Sequence, residues 1–280
     1  MRTVWLNGEW LPAGEARISI FDRGLTLAQS VYEVAPVVGG RIANWPHHAA
    51  RLAGSLRTAL ISDHTDWPAV LGELIRRNAM DEGRVYLQIT AGNSGDRDFA
   101  MPQPPVPPTR IAYTQAAVLL ADPRAERGLR IVLRPDLRWQ LRSAKTTQLL
   151  YAVLMKEEAR LAGVDDAWLV EAGMITEATS QNAHIVDGRG VLVSHPVDCG
   201  VLPGVTRISL LAVARELGLV IEERAFSPDE LFAAREALVS AAGTLVLPVV
   251  EVDGRAIADG RPGPITRQLR AAYLDRLRHG

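Results

Sequence analysis

Residues 136–150 read Asp-Leu-Arg-Trp-Gln-Leu-Arg-Ser-Ala-Lys-Thr-Thr-Gln-Leu-Leu. This stretch contains Lys145, the first candidate for a functional residue. An alternating strand pattern precedes this stretch at residues 129–134. A helical pattern follows it from about residue 147 to 161. Only two of the 31 basic residues are lysines, Lys145 and Lys156. An amine can lose its proton and attack a carbonyl, whereas a guanidinium cannot. Lys145 is therefore either a nucleophile or an ordinary solvated lysine at a helix start.

The composition is that of a soluble globular protein, with 48% hydrophobic residues, 22% charged residues and a net charge of -1. This balance of charge gives no indication of binding to nucleic acid or to an anionic membrane. The chain begins without the apolar segment of a secretory signal, and its longest apolar run is too short to span a bilayer. We therefore expect a cytoplasmic protein that binds neither nucleic acid nor membrane.

The chain contains a single cysteine, Cys199. One cysteine excludes an internal disulfide framework and a cysteine-based metal site. We expect Cys199 to be an ordinary buried or half-buried thiol, and we predict no metal site.

Strand and helix patterns are mixed without strict alternation, which favours an α+β fold over a doubly wound sheet. A polar Asp-Pro-Arg-Ala-Glu-Arg turn joins two strand-rich regions and indicates a domain boundary. We predict a small domain at residues 1–118, a linker at 119–121 and a large domain at 122–280. Residues 173–182 are predicted to form a polar turn region.

Two stretches of small residues could hold an anionic cofactor. Residues 204–206, Gly-Val-Thr, open a predicted helix, whose first N–H groups can bind a phosphate. Residues 241–244, Ala-Ala-Gly-Thr, follow a buried strand and would let a ligand approach the backbone. A glycine before a helix is common, and tight strand packing explains the second stretch equally well.

Two charged residues are further candidates. Arg51, close to His48 on the first predicted helix, could clamp a phosphate with two hydrogen bonds or could simply face water. Glu177 lies among hydroxyl and amide residues. It could pair with a heteroaromatic nitrogen or merely cap a turn.

Together these features resemble the fold-type IV pyridoxal-phosphate enzymes. That family includes D-amino acid aminotransferases, branched-chain aminotransferases, R-selective amine aminotransferases and aminodeoxychorismate lyases. The resemblance covers almost the whole chain, in the family's order. The matching motifs are Asp22-Arg23-Gly24, Val31-Tyr32-Glu33, His48-x-x-Arg51-Leu52, Arg138-Trp139 ahead of Lys145, Thr176-Glu177 with Ser180 and Asn182, Gly204-Val205-Thr206-Arg207, and Pro248 with the Asp253-Gly254 hairpin.

The resemblance implies a fold and an assembly. The fold is a smaller N-terminal α/β domain followed by a larger C-terminal domain with a β-barrel-like core. The family's sites are usually completed at a dimer interface, so the resemblance also implies a homodimer.

The cofactor implied is pyridoxal 5'-phosphate. By resemblance, Lys145 would bind it covalently and, once displaced by the amino donor, would carry a proton between the substrate and the cofactor. Glu177 would keep the pyridine nitrogen protonated, so that the ring accepts electrons. Arg138 and Trp139 would line or support the cofactor near Lys145.

The phosphate of the cofactor would have a separate set of contacts. By resemblance, it would be held by Arg51, by the N–H groups of Val205 and Thr206, and by the Thr206 hydroxyl. Ala242 falls where the family often has a hydroxyl residue, so its contact would be made through the backbone N–H.

The family's D-amino acid aminotransferases bind the substrate carboxylate with a tyrosine, an arginine and a histidine. Tyr32 matches the tyrosine. Residues 96–102, Asp-Arg-Asp-Phe-Ala-Met-Pro, resemble the loop that carries the arginine and the histidine. Arg97 would then be the carboxylate arginine, and Phe99 replaces the histidine. Ser180 is a further predicted substrate contact, and the alternative for Arg97 is an ordinary solvated loop arginine.

We therefore predict transamination between a D-amino acid, such as D-alanine or D-glutamate, and a 2-oxo acid, such as 2-oxoglutarate or pyruvate. The carboxylate-binding loop is atypical. It leaves open a branched-chain L-amino acid aminotransferase, an R-amine aminotransferase and an aminodeoxychorismate lyase. A catalytically silent pyridoxal-phosphate-binding protein is a further alternative, against which the intact Lys145 and Glu177 argue.

Overall fold

The computed structural model describes residues 2–197 and 200–279, so the prediction for Cys199 lies outside the described residues. The chain forms two compact units. The first comprises Met1–Val118 and Ala144–Gln148, and the second comprises Leu119–Ser143 and Leu149–Gly280. The units therefore differ from a simple two-part division of the sequence, because Lys145 and its neighbours cluster with the first unit.

The first unit is built on a six-stranded antiparallel sheet with the strand order β2-β1-β6-β5-β3-β4. Its elements are β1 (Thr3–Leu6), β2 (Glu9–Pro12), α1 (Arg23–Thr26), β3 (Ser30–Val38), β4 (Arg41–Ile42), α2 (Trp45–Ala59), α3 (Trp67–Arg77), β5 (Gly83–Thr90) and β6 (Arg110–Ala116). Apolar residues alternate along β3 and β5, and this face of the sheet packs with Leu71 and Leu74 of α3 in one core. The opposite face carries Tyr32 and Tyr86.

The second unit is built on a nine-stranded mixed sheet with the order β12-β11-β10-β13-β14-β7-β8-β9, and β15 pairs with β14. Its elements are α4 (Arg124–Arg127), β7 (Leu129–Pro135), α5 (Leu150–Leu161), β8 (Asp166–Glu171), β9 (Met174–Ala178), β10 (Asn182–Val186), β11 (Leu192–Ser194), α6 (Val205–Glu216), β12 (Ile221–Glu223), α7 (Pro228–Ala233), β13 (Glu236–Ala241), β14 (Leu245–Val252), β15 (Arg255–Ala256) and α8 (Pro264–His279). Strands β9 and β10 are far apart in this order, yet Ala178 N–H donates to the Gln181 carbonyl between them. The sheet therefore curls towards itself, and its core includes Trp168 and Phe226.

The structure corrects two predictions of local structure. The helix after Lys145 begins at Leu150 rather than at residue 147, because Thr146 bridges Val31 and Thr147 N–H donates to the Ser30 carbonyl. Residues 174–178, predicted as part of a turn, form strand β9. The turn was predicted because these residues are polar, but their polar side chains make buried hydrogen bonds instead of facing solvent. Among the described residues, no helix is long and apolar enough to cross a membrane.

Candidate active site

Lys145 lies on an extended segment that runs beside the start of β3. Its backbone N–H donates to Ser55 Oγ at 3.0 Å, and its carbonyl accepts from the Tyr32 N–H at 3.0 Å. The side chain turns towards Tyr32, with Nζ 3.3 Å from the phenolic oxygen and 4.3 Å from the ring centroid. The segment is thus held at two backbone points, and the two predicted residues Lys145 and Tyr32 are in contact.

Tyr32 belongs to a row of aromatic rings that crosses the sheet of the first unit. Its ring stacks on Tyr86 with 5.6 Å between centroids, and Tyr86 stacks on Tyr113 at 4.7 Å. The Tyr86 hydroxyl donates to Gln88 Oε1, and Gln88 Nε2 donates to Ser30 Oγ. Burial raises the pKa of Tyr86, so its phenol remains protonated at neutral pH. Tyr86 and Gln88 were not predicted from the sequence, although their two-residue spacing on β5 places them on one face.

Arg51 is oriented by a buried carboxylate. Its Nε and Nη2 donate to the two oxygens of Glu33 at 2.8 and 2.7 Å, and its side chain is only 7% exposed. It therefore does not face water. Burial alone would raise the pKa of Glu33, but the charge and hydrogen bonds of Arg51, together with His48, lower that pKa to about 2.

His48 completes this buried cluster. Its Nδ1 lies 2.7 Å from Glu33 Oε2. A carboxylate can only accept, so Nδ1 carries the proton and Nε2 is an acceptor in the neutral ring. Burial lowers the pKa of His48 although Glu33 opposes the shift. Nε2 has no hydrogen-bond partner among the described residues.

Glu177 is the centre of the corresponding cluster in the second unit. Arg138 Nη1 donates to its Oε1 at 2.7 Å, Asn182 Nδ2 donates to Oε2 at 3.0 Å, and the Leu202 N–H lies 3.3 Å from both oxygens. Burial raises the pKa of Glu177, and the charge and hydrogen bond of Arg138 oppose that shift. The carboxylate is thus a buried acceptor surrounded by donors.

Arg138 is itself held by Asp136. Two of its nitrogens donate to the Asp136 oxygens at 2.9 and 2.7 Å, and the Thr176 hydroxyl donates to Asp136 Oδ2 at 2.7 Å. Asp136 was not predicted from the sequence as a site residue. Its position two residues before an arginine is the only local signal of the pair.

The start of helix α6 lies against Asn182. A Cβ atom on Gly204, the residue before the helix, would overlap the Asn182 side-chain oxygen. Asn182 therefore contacts both Glu177 and the helix start, and only glycine permits this approach. Val205 and Thr206 are buried in the first turn, and no side chain caps it.

The remaining predicted residues occupy more open positions. Ala242 lies in the turn between β13 and β14, and Ser180 lies in an exposed bend between β9 and β10. Arg97 and Phe99 lie in a loop of the first unit, with the guanidinium 4.7 Å from the centroid of the ring. Among the described residues, no hydrogen bond or ring contact joins Arg97 or Phe99 to Tyr32 or Lys145.

The second unit offers donors and acceptors suited to pyridoxal 5'-phosphate. Glu177 presents a buried acceptor to a protonated ring nitrogen, and the uncapped start of α6 presents N–H groups to a phosphate. Asn182 ties these two features together. In the first unit, Lys145 supplies an amine beside a phenol. No cluster of three or more His, Cys, Asp or Glu residues within 2–197 and 200–279 could hold a metal ion.

Comparison with known proteins indicates one aminotransferase family. The family model "Amino-transferase class IV" matches residues 30–252. The D-alanine aminotransferase of Bacillus licheniformis is 31% identical over 277 residues, covering 98% of this chain and 96% of the relative. That of Staphylococcus aureus (strain N315) is 32% identical over 276 residues, covering 98% and 97%.

Solved structures match over the same length. A branched-chain amino acid aminotransferase of T.th., solved with pyridoxamine 5'-phosphate, has a TM-score of 0.88 at 24% identity, covering 98% of this chain and 93% of that one. The Escherichia coli branched-chain aminotransferase has a TM-score of 0.83 at 24% identity, with the same coverage. These likenesses confirm the predicted fold. The chain therefore belongs to the amino-transferase class IV family, and it is a pyridoxal-phosphate-dependent aminotransferase of fold type IV.

Proposed function

We propose that this aminotransferase moves an amino group from a D-amino acid, such as D-alanine or D-glutamate, to 2-oxoglutarate or pyruvate. The observation that carries the proposal is the contact between Lys145 and Tyr32. It places a proton-carrying amine beside the tyrosine that resembles a carboxylate-binding residue of D-amino acid aminotransferases. The full-length similarity to relatives named D-alanine aminotransferases supports the same assignment.

Bound pyridoxal phosphate supplies an electron-accepting ring that stabilises negative charge at the substrate Cα. Lys145 Nζ removes and returns the Cα proton in the proposed cycle. The Tyr32 hydroxyl, 3.3 Å from Nζ, accepts a hydrogen bond from the protonated amine and so orients it. The Glu177 carboxylate holds the proton of the ring nitrogen, and Arg138 and Asn182 hold the carboxylate. The cycle is ping-pong, because the amino group must leave the donor before the acceptor binds.

We propose that two separate groups bind the phosphate of the cofactor. The start of α6 contributes the N–H groups of Val205 and Thr206 and the Thr206 hydroxyl, where the helix dipole favours an anion. Arg51 contributes a guanidinium whose direction is set by Glu33. Ala242 adds a backbone N–H from the turn after β13.

The substrate carboxylate is assigned to Tyr32 and Arg97, with Ser180 as a further contact. Phe99 stands in place of the expected histidine and is 77% exposed. It supplies an apolar surface where that histidine would supply a donor. This difference favours one second candidate function, the use of R-amines that lack a carboxylate.

A donor panel tests the proposal. D-alanine, D-glutamate, L-leucine and (R)-1-phenylethylamine are compared with 2-oxoglutarate and with pyruvate as acceptors. We expect D-alanine to give the highest kcat/KM, and we expect Arg97→Gln to raise its KM about tenfold or more, since a charged hydrogen bond is lost. Arg17→Gln is the matched control, because Arg17 donates only to the carbonyls of Gly14 and Ala16 in an exposed turn. Turnover of L-leucine without any D-amino acid would refute the assignment.

We also propose that the protein is a cytoplasmic homodimer. Helix α5 exposes Leu150, Val153 and Leu154, of which Leu150 is 73% exposed. An apolar helix face of this kind is typical of a protein–protein contact. Light scattering on the purified protein checks this assignment, and a mass equal to one chain at micromolar concentration would contradict it. The cytoplasmic location is checked by fractionating the host cells.

A further inference from the structure

The proposed cycle gives no role to the motif Asp22-Arg23-Gly24, although its two charged residues are buried, with Asp22 0% and Arg23 3% exposed. Asp22 accepts hydrogen bonds from the Gly24 N–H and from the hydroxyls of Thr90 and Thr109. A Cβ atom on Gly24 would overlap the Thr90 side chain. Asp22 and Gly24 therefore fix the short helix α1 against the end of β5, and this anchors Arg23 between them.

Arg23 directs its guanidinium at the loop that carries Arg97 and Phe99. Its Nη1 donates to the carbonyls of Asp98 and Ala100 at 2.8 and 3.1 Å, and its Nη2 donates to the carbonyl of Phe99 at 3.4 Å. Three consecutive carbonyls thus converge on one side chain. Arginine suits this task because its planar group presents several donors in a fixed arrangement.

Gln29 closes the contact from the other side. Its Oε1 accepts from Arg23 Nε at 2.6 Å. Its Nε2 donates to the Ala59 carbonyl at 2.9 Å and lies 3.2 Å from Met101 Sδ. The loop is therefore held at residues 98–101 by two side chains that are themselves held by the sheet and by α2.

Burying the Arg23 guanidinium costs free energy, which indicates that the positions of its contacts are important. Arg23 is 3% exposed, and its described side-chain partners are all neutral oxygens. A buried cation without a carboxylate partner is expensive unless its N–H groups are satisfied. Solvent-exposed loop residues such as Phe99 do not by themselves require such an anchor.

We propose that Arg23, with Gln29, is a positioning residue that sets the conformation of residues 98–101 and thereby the substrate specificity of the enzyme. The neighbouring Arg97 stacks on Phe99, so the direction of its guanidinium follows the backbone that Arg23 holds. This inference rests on the proposed function only where it assigns the substrate carboxylate to Arg97. The holding of the loop stands independently of that assignment.

Limited trypsin digestion of the cofactor-loaded enzyme tests the holding of the loop without measuring activity. Arg97 is exposed, so trypsin cuts after it at a rate set by local opening of the loop. We expect Arg23→Gln to increase this cleavage about tenfold or more, since several hydrogen bonds from a charged donor are lost. Gln29→Leu removes one acceptor of Arg23 and the donor to the Ala59 carbonyl but leaves the Arg23 contacts with the loop, so it is expected to give a smaller increase. Arg17→Gln is the matched control, and Arg97→Gln identifies the cleaved bond by mass spectrometry.

Steady-state kinetics tests the effect on specificity. We expect Arg23→Gln to raise the KM for D-alanine about tenfold with kcat changed less than about threefold, and to leave kcat/KM for (R)-1-phenylethylamine nearly unchanged. Arg23→Lys keeps the charge but not the planar set of donors, so it should rescue neither measurement fully.

The outcomes separate this inference from the proposed function. If cleavage after Arg97 is unchanged in both Arg23→Gln and Gln29→Leu, the inference is wrong, whatever the donor panel shows. If cleavage rises but the KM for D-alanine does not, Arg23 holds the loop but does not set specificity, and that half of the inference is overturned. The carboxylate role of Arg97 is decided separately, by the KM of Arg97→Gln. Gln29→Leu keeps the test valid should Arg23→Gln fail to fold.

Discussion

Replacing Glu33 by glutamine should remove the charge that orients Arg51 while keeping the size of the side chain. The pKa of Glu33 is lowered from the usual 4.5 to about 2. At 1.4 kcal/mol for each pKa unit, the fold favours the ionised form by about 3 kcal/mol. Removing one partner of a buried ion pair is also known to cost about 3–5 kcal/mol, so the two estimates agree. We expect Glu33→Gln to lose about 3 kcal/mol of unfolding free energy at pH 7, or about 6–12 °C in Tm for a chain of this size.

The loss of stability in Glu33→Gln should depend on pH, in a direction set by the lowered pKa of Glu33. An acid whose pKa is lowered in the folded state contributes stability above its unfolded pKa and loses it as the pH falls through its folded pKa. The difference between wild type and Glu33→Gln should therefore be constant from neutral pH down to about pH 5. It should then shrink between about pH 4.5 and pH 2.

Urea unfolding of both proteins, at equal concentration and with the cofactor removed, measures this difference without a contribution from cofactor affinity. Glu73→Gln is the matched control. The pKa of Glu73 is also lowered to about 2, by hydrogen bonds from Arg76 and Arg77, but its side chain is 30% exposed at the surface of helix α3, against 1% for Glu33. Solvent screens such a pair, so its loss should matter far less. Equal effects of the two substitutions, or a Glu33→Gln difference that does not shrink at low pH, would refute the reasoning.

Three further predictions concern the cofactor. Lys145→Ala should abolish the visible absorbance of the covalently bound cofactor. It should also abolish the cofactor–protein adduct that borohydride reduction traps and mass spectrometry detects. An adduct on another residue would contradict the assignment. Glu177→Gln should lower kcat about a hundredfold or more, because an electrostatic contact to the reacting ring is lost. Steady-state kinetics checks this, and a kcat within about threefold of wild type would count against it. Gly204→Ala should raise the cofactor Kd about tenfold or more in an absorbance titration, since the added Cβ overlaps Asn182. Gly72→Ala, where a Cβ meets nothing within 4 Å, is its control.

Several parts of the site were predictable because their signals are local. The scarcity of lysine in an arginine-rich chain made Lys145 a candidate, and Gly204 before a helical pattern indicated the start of α6. The order of the motifs then implied the family, which the comparisons confirmed. Each single motif lies within a few residues, where residue identity and hydrophobic periodicity are readable, whereas their order is a property of the whole chain.

Local structure failed as a guide where the backbone found its partner far away in the sequence. Thr146 and Thr147 precede a helical pattern in the sequence. Their backbone groups nevertheless pair with Val31 and Ser30 at the start of β3. Glu177 lies in a polar stretch typical of a turn, yet it belongs to a buried strand. In both cases tertiary hydrogen bonds outweighed a weak local preference.

The sequence by itself determined which groups are available: a lysine in an arginine-rich chain, an acidic residue among hydroxyl and amide residues, a helix that begins after a glycine, and a loop that carries an arginine. Only the tertiary structure decided how they are held. Glu33 orients Arg51, Asp136 orients Arg138, and Arg23 holds the loop beside Arg97. Asp136 and Arg138 are two residues apart, but Glu33 and Arg51 are 18 residues apart and Arg23 and Asp98 are 75 residues apart. The two longer contacts depend on how the strands and helices pack and on which face of a strand each side chain occupies. A shift of register by one residue would reverse those faces, and the partner of each strand is decided only when the whole sheet assembles.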